Sequence, residues 1–508
     1  MPSSQWITGR NRDFRGGETQ AALPEEVGRN QLLRMENAML FPTGEITASH
    51  QADTPMVTGA TLGLAVVPFT DGTYNVFSAP DNGNVYGQFL DTSSGAPVDM
   101  PAGSQTAVAG ARIVGVHRAV KFLGKHYCPN PNVDDTKDGI LNLTDFALVN
   151  VAGSTATALK LRRYANRLWL ISSDGTLRNS DNGDATTWNA LNIMLLANSE
   201  PIIDFHPVQG GVIVYSATAI YAMYGTVYSD ITFIPLIESS VDNPKQFTSG
   251  SVEIAGVVYI LSTEGIYQTT LNGAQLVPHH QERFFKECFS IFSDPAKTVT
   301  AVYMQAFRAI LFTWPEVYGI SQSLVFYLTG AYSKINRLLP TAYPYIVAMN
   351  DANTDYMVAL SEGVLAKSEY PSANMTEAQP SYIQTRHEDA DSYRDKVWSA
   401  FTIVTGQVVY GVTVQAYLDE STTPVLVADA VGLSKGENTF WLDDLDRSKT
   451  ISMLITIDNS AVLTLVSDDD STMILTDDDG DELVATINPG NWSIKELRLR
   501  YREAGPAI

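Results

Sequence analysis

Along most of the chain, apolar and polar residues alternate in short runs broken by Asp, Asn and Gly, with no long helical period. Strict alternation sends successive side chains to opposite faces and predicts half-buried strands. One unit keeps returning: an apolar strand, a turn of Asp, Gly or Asn, then a second strand carrying Tyr or Leu. It occurs at Tyr74–Ser78 with Asp81–Tyr86, and at Ala119–Leu123 with Asp138–Leu141 downstream. The clearest copy is Asn166–Leu177, which turns at Asp174-Gly175. Others are Gly211–Tyr215 with Ala219–Tyr221, Val257–Leu261 with Glu264–Tyr267, Ala309–Phe312, and Tyr356–Leu360 turning at Glu362-Gly363. Glycine at these turns tolerates the positive φ that tight hairpins demand. The copies start about 45 to 50 residues apart, the length of a four-stranded blade. The pattern predicts an all-β chain with a β-propeller of about seven blades over residues 51–390. The competing expectation is an irregular β-sandwich whose hairpins merely look alike.

The two ends differ from the repeat. Residues 1–50 carry the Arg12–Gly17 stretch, then Leu23-Pro24-Glu25-Glu26, where Pro at a first helical position predicts a short helix. A turn at Thr43-Gly44 then feeds a strand. After about Asp391 the blade spacing stops, and alternating strands are predicted at Trp398–Ile403, Gly411–Tyr417, Thr439–Leu442, Ile451–Ile457 and Trp492–Arg502. In the last of these, Leu497, Leu499 and Tyr501 share one face while Arg498, Arg500 and Arg502 share the other. Residues 391–508 are accordingly expected to form a separate C-terminal β-sandwich.

Composition narrows the function classes. Hydrophobic residues make up 44% and charged ones 18%, as in a soluble globular protein. No apolar run reaches the roughly 18 residues that span a bilayer, and no secretory signal is expected at the N-terminus. Cys128 and Cys288 are far apart in sequence and are expected to be buried thiols, not a disulfide, which suits assembly in a reducing compartment. The net charge of −23 argues against tight DNA binding, which needs cations on phosphates. It is compatible with a surface past which DNA slides without sticking.

The two ends together resemble the tail nozzle, or tail-hub, proteins of short-tailed bacteriophages, also labelled packaged-DNA stabilisation proteins. The matching features are the Phe14–Gly17 entry, Leu23-Pro24, Glu36-Asn37-Ala38, the turn at Gly44, the Asn179–Trp188 segment, and the Trp492–Tyr501 strand followed by Arg502 and Gly505. The resemblance covers most of the chain as pattern and order. It implies a structural virion protein without catalysis or cofactor, assembled as a homohexameric ring below the portal and adaptor. Such a ring retains the packaged genome and guides its ejection. The implied partners are the adaptor and portal, tail needle, fibre or tailspike proteins, and double-stranded genomic DNA passing without sequence-specific binding. The implied location is the virion tail, and the host cytoplasm during assembly. In that setting the N-terminal segment docks to the adaptor, with Trp6, Arg12, Phe14, Arg15, Arg498, Arg500 and Arg502 as assembly-interface candidates.

Three further groups of residues suggest chemistry at first sight. Asn179–Trp188 is close to the Asp-box of sialidases, but Asn179 stands where Ser is expected and two extra residues precede Thr187-Trp188; a structural turn is expected. Asp468, Asp469, Asp470, Asp477, Asp478, Asp479, Asp481 and Glu482 flank two short strands, Leu463–Val466 and Met473–Thr476. A calcium loop fails there, because its first and last ligands would fall on Leu475 and Thr486. Solvated turns of a protruding hairpin, a rim of the DNA channel, a docking surface and a divalent-ion site stay open. His279-His280 with Glu282 is expected to be a surface turn, since neighbouring side chains diverge in a strand. No nucleophile elbow, phosphate loop or zinc motif occurs, and no catalytic or metal-binding residue is assigned. Two alternatives compete with the structural reading: a propeller glycosidase or depolymerase acting on host surface polysaccharide, and a monomeric propeller scaffold for protein partners.

Overall fold

The computed structural model describes residues 7–11, 17–18, 31–48, 51–58, 61–68, 74–80, 86–90, 97–99, 115–130, 139–144, 147–151, 158–196, 199–239, 246–279, 281–294, 298–314, 322–336, 346–349, 355–361, 364–369, 380–388, 395–419, 421–458, 465–466, 472–473 and 492–503. The predicted helix at Pro24 lies outside these residues.

Among the described residues, seven antiparallel meanders follow one another and form the propeller. Their first strands are Thr61–Pro68, Val120–Phe122, Ala158–Tyr164, Asp204–Val208, Phe247–Ile254, Thr300–Met304 and Ile346–Met349, each opening one of blades 1 to 7. Blades 1 to 6 each pair four strands in sequence order. Blade 7 has three of its own, and Gln51–Thr58 adds the fourth by pairing antiparallel with Val364–Glu369. The ring is thus closed by a strand from the far end of the chain, leaving no open blade edge at the junction. First strands of blades 2 to 7 lie next to one another in turn, and that of blade 7 lies next to that of blade 1, so they form the inner ring. Gly115–Arg118 pairs parallel with the first strand of blade 1 and runs directly into blade 2.

The recurring unit of the sequence is mostly the second and third strands of each blade. Blade 2 departs from it: Phe122 turns at Leu123-Gly124, both at positive φ, into Lys125–Asn130, which lies between the two segments expected to pair.

The sandwich corrects the expected division at the ends. Its first sheet orders Gly436–Trp441, Lys396–Thr405, Ser493–Glu503, Ile46–Ala48 and Ala38–Leu40, with Ile7–Asn11 also pairing Ser493–Glu503. The second sheet includes Val425–Leu433, Val409–Leu418, Ile451–Ile457, Ser381–Thr385 and Gln31–Glu36, and then continues into the last strand of blade 6. Residues 1–50 are therefore not a separate segment: their strands supply both sheets of the sandwich. The sandwich also starts at Ser381 instead of 391. The physical reason is edge pairing, because Gln31–Glu36 satisfies Ser381–Thr385 on one side and meets Lys334 of blade 6 on the other.

A single apolar core joins the two units. Leu32, Met35, Met39, Leu40 and Ile46 pack with Phe307, Leu311 and Tyr327 of blade 6 and with Trp398, Ile455 and Trp492 of the sandwich. Asn37 pins the junction from a left-handed conformation (φ 53°) that Asn tolerates. Its N–H donates to Lys334 O at 2.9 Å, its side-chain amide donates to Pro380 O at 2.8 Å, and its carbonyl accepts from Ser381 Oγ at 2.7 Å. The Tyr327 hydroxyl, fully buried, accepts from Leu40 N–H at 2.8 Å.

Cys128 and Cys288 are both free and buried. Burial, helped by Glu287, pushes the Cys288 thiol up to about 12, and burial alone carries Cys128 higher still. A thiol-modifying reagent at pH 8 is expected to label neither until denaturant is added, and then both. Rapid labelling of the native protein would show the burial to be wrong.

Candidate functional site

Inner strands of a propeller are usually apolar where blades touch. Here three successive ones carry polar residues at alternate positions: Lys160 and Arg162 in blade 3, Asp204 and His206 in blade 4, Ser249 and Ser251 in blade 5. Alternation places each pair on one face of its strand, and the blades bring the three pairs together. Asp204, 1% exposed, accepts from Lys160 Nζ at 2.6 Å and from Arg162 at 3.0 Å. The second Arg162 contact, to Oδ1, is 3.1 Å, and the Phe205 N–H also donates to Oδ1 at 2.7 Å. The Lys160 ammonium reaches across blade 4 to the carbonyl of Ser249 at 3.4 Å.

Ser251 organises the deeper half. It accepts from Tyr215 Oη at 2.8 Å and donates to Asp204 at 3.1 Å. Its remaining lone pair faces His206 Nε2 at 2.7 Å, which assigns the proton to that nitrogen. Burial opposes ionisation of Asp204, but Arg162 and Lys160, with the Lys160 hydrogen bond, outweigh it and hold the carboxyl far below the usual range. Burial, reinforced by Arg162, keeps His206 neutral.

Ser251, His206 and Asp204 superficially form a nucleophilic triad, but the geometry is not that of one. A relay needs the carboxylate on the imidazole nitrogen remote from the serine. Here Asp204 binds the serine hydroxyl directly, and its nearest imidazole nitrogen is the same Nε2, at 3.6 Å. Ser251 donates its proton to a carboxylate that does not take it. The cluster clamps three blades, and its two cations, 30% and 32% exposed, are its solvent-facing part.

The expected site residues are distributed as follows. Trp6, Arg12, Phe14, Arg15 and the eight acidic residues between Asp468 and Glu482 lie outside the described residues, although Leu465–Val466 and Thr472–Met473 pair as a hairpin between them. Arg498, Arg500 and Arg502 are described and do alternate with buried Leu497, Leu499 and Tyr501. Arg498 donates to Glu437 at 2.6 Å and to Glu496 at 2.9 Å. His279 packs against Phe285; its Nδ1 accepts from Gln281 N–H at 3.1 Å, and its Nε2 lies 2.8 Å from Glu264 O. Among the described residues no cluster of three or more His, Cys, Asp or Glu could hold a metal, and no helix is long and apolar enough to cross a membrane.

The Asn179–Trp188 segment is a turn between the third and fourth strands of blade 3. Asp184 accepts from Thr186 N–H and Oγ1 at 2.7 Å and from Thr187 Oγ1 at 2.6 Å, which lowers its carboxyl to about 2. Trp188 Nε1 closes the turn on Ala185 O at 2.9 Å. Asp184→Ala is expected to lower the melting temperature near neutral pH. A depressed carboxyl stabilises above its unfolded value and loses that contribution as pH falls through about 2. The difference from wild type should therefore shrink between about pH 4 and pH 2; a gap that widens there would contradict the assignment.

No protein-family model matches the sequence, and a search of curated proteins finds no match. Solved structures with similarity include a streptogramin B lyase, at 11% identity and TM-score 0.42, covering 63% of this chain and 97% of that one. The WD40 β-propeller domain of Doa1 is 11% identical at TM-score 0.39, over 63% of this chain and 96% of its own. YCF48 bound to a D1 peptide is 8% identical at TM-score 0.38, over 65% and 95%. The propeller assignment stands on the strand pairing described above.

Proposed function

We propose that this chain is a structural virion protein, the nozzle of a short phage tail, whose copies form a hexameric ring below the portal and adaptor. In that role it retains packaged DNA and guides its ejection. The observation that carries this reading is the continuous sheet and core uniting blade 6, the N-terminal strands and the sandwich. A binding platform needs only a propeller face, whereas a wall element around a pressurised conduit needs its parts fixed to one another. The net charge of −23 agrees, since it offers passing phosphates few counter-charges.

The polysaccharide-hydrolase alternative needs carboxyl groups that exchange protons. Asp204 suits neither role, being enclosed and held ionised by two cations. Electron microscopy of the purified protein with portal and adaptor tests the proposal. A ring with a channel of duplex width is expected, and failure to join the adaptor or to form a ring overturns it.

A further inference from the structure

Blade 3 encloses a second charged group, on the face away from the Asp204 clamp. Arg178, on its third strand Leu177–Ser180, is only 5% exposed. Its register partners are Leu170 on one side and Ile193 on the other. Cross-strand partners share a face, and Leu170 packs in one core with Phe122, Tyr127 and Ile140 of blade 2. Arg178 therefore projects into the interface between blades 2 and 3. Ser172, fully buried, points the same way. It alternates with Leu168 and Leu170, and its register partner Ala158 belongs to that same core.

Among the described residues, nothing accepts from Arg178 Nε or Nη1, and Ser172 Oγ has no hydrogen-bond partner. A guanidinium keeps its proton in a protein, so burial lowers the pKa of Arg178 without neutralising it. Asp174 favours the charge, but its Oδ1 is committed to Thr176, accepting from the N–H at 3.0 Å and from Oγ1 at 2.7 Å. Buried charges in proteins are paired, and buried donors are bonded. Water would complete the hydrogen bonds and leave the charge, whereas an anion completes both. Arg178 lies opposite Leu170, and Ser172 follows Leu170 by two residues, so the two are diagonal neighbours. Such positions are about 7–8 Å apart, and charge-assisted bonds of about 2.8 Å from each reach one tetrahedral group between them. The enclosure admits a small ion and not a chain segment. We propose that Arg178 and Ser172 form an anion site between blades 2 and 3 that takes one inorganic oxyanion, phosphate or sulfate. The site does not depend on the ring proposed above.

Phosphate binding by the full chain tests it. Equilibrium dialysis with radiolabelled inorganic phosphate, at fixed ionic strength in sodium chloride, is expected to show saturable uptake that sulfate displaces. Thermal melting should agree, because an anion bound only to the folded chain raises its transition, whereas general salt stabilisation is common to wild type and variants. Arg178→Met is expected to abolish the saturable uptake. Without phosphate it should melt no lower than wild type, since an unpaired buried charge has gone, and it should fall below wild type as phosphate is added. Ser172→Ala keeps the cation and is expected to bind phosphate about tenfold more weakly, the loss of one hydrogen bond to a charged group. This milder variant decides the question if Arg178→Met fails to fold, as judged by circular dichroism. A wild type without saturable uptake, or uptake unchanged in either variant, overturns the site. So does displacement by chloride as readily as by sulfate.

Discussion

Deleting residues 1–48 is expected to leave the sandwich unfolded and the chain insoluble, not to trim a docking tail. Leu32, Met35, Met39, Leu40 and Ile46 are each at most 2% exposed in the core shared by sandwich and blade 6. At about 1.5–3 kcal/mol for each fully buried large apolar side chain, their removal costs about 7–15 kcal/mol. That matches the whole stability of an ordinary domain, about 5–15 kcal/mol. The deletion also strips Ser381–Thr385 of its pairing with Gln31–Glu36 and separates the second sheet from blade 6. Tryptophan fluorescence would report the loss, since Trp398 and Trp492 are buried in that core. A truncated chain that kept a cooperative sandwich transition would refute the shared core.

The second large effect is expected at Asp204. Asp204→Ala leaves Lys160 and Arg162 facing each other without their common anion and removes the acceptor of Ser251. The expected loss is about 3 kcal/mol, the lower end for breaking a buried pair, because both cations keep contact with solvent. Denaturant unfolding followed through Trp169, buried in the adjoining blade 3, measures it, and a loss under about 1 kcal/mol would show the clamp to be dispensable. Asp204→Asn keeps the shape and loses the charge, and should lie between the two. The pH sign follows from a carboxyl depressed below its ordinary 3.8. Its contribution is full above the unfolded value and is lost as pH falls through the folded one. The gap between wild type and variant should thus be constant from neutrality to about pH 5 and close only in strong acid.

Legibility in the sequence followed contact range. Blade hairpins such as Asn166–Leu177 declared themselves, because alternation and turn chemistry are local. The terminal strand was equally plain, with Leu497, Leu499 and Tyr501 in and the three arginines out. The turn at Gly44 (φ 91°) feeds Ile46–Ala48 as expected. What stayed hidden were pairings between distant segments, such as Glu36 with Tyr382 or Gln51–Thr58 with Val364–Glu369. An unpaired strand carries no mark of its partner. The Asp204 cluster was hidden for a related reason. Lys160, Asp204 and Ser251 look like scattered surface residues until three blades bring them together, and the available signal was their i, i+2 spacing on successive inner strands.

The interlaced N-terminus has a consequence for synthesis on the ribosome. Gln31–Glu36 emerges early, yet its partners lie around Lys334 and in Ser381–Thr385, and Ile46–Ala48 pairs with Ser493 and Ile494 near the other end. At about 5–20 residues per second, the ribosome needs roughly 20–90 s to deliver that last partner. The first strands made are among the last to be paired. Through that interval their apolar faces depend on chaperones or transient collapse, so yield in a recombinant host should be governed by the nascent chain more than by the finished fold.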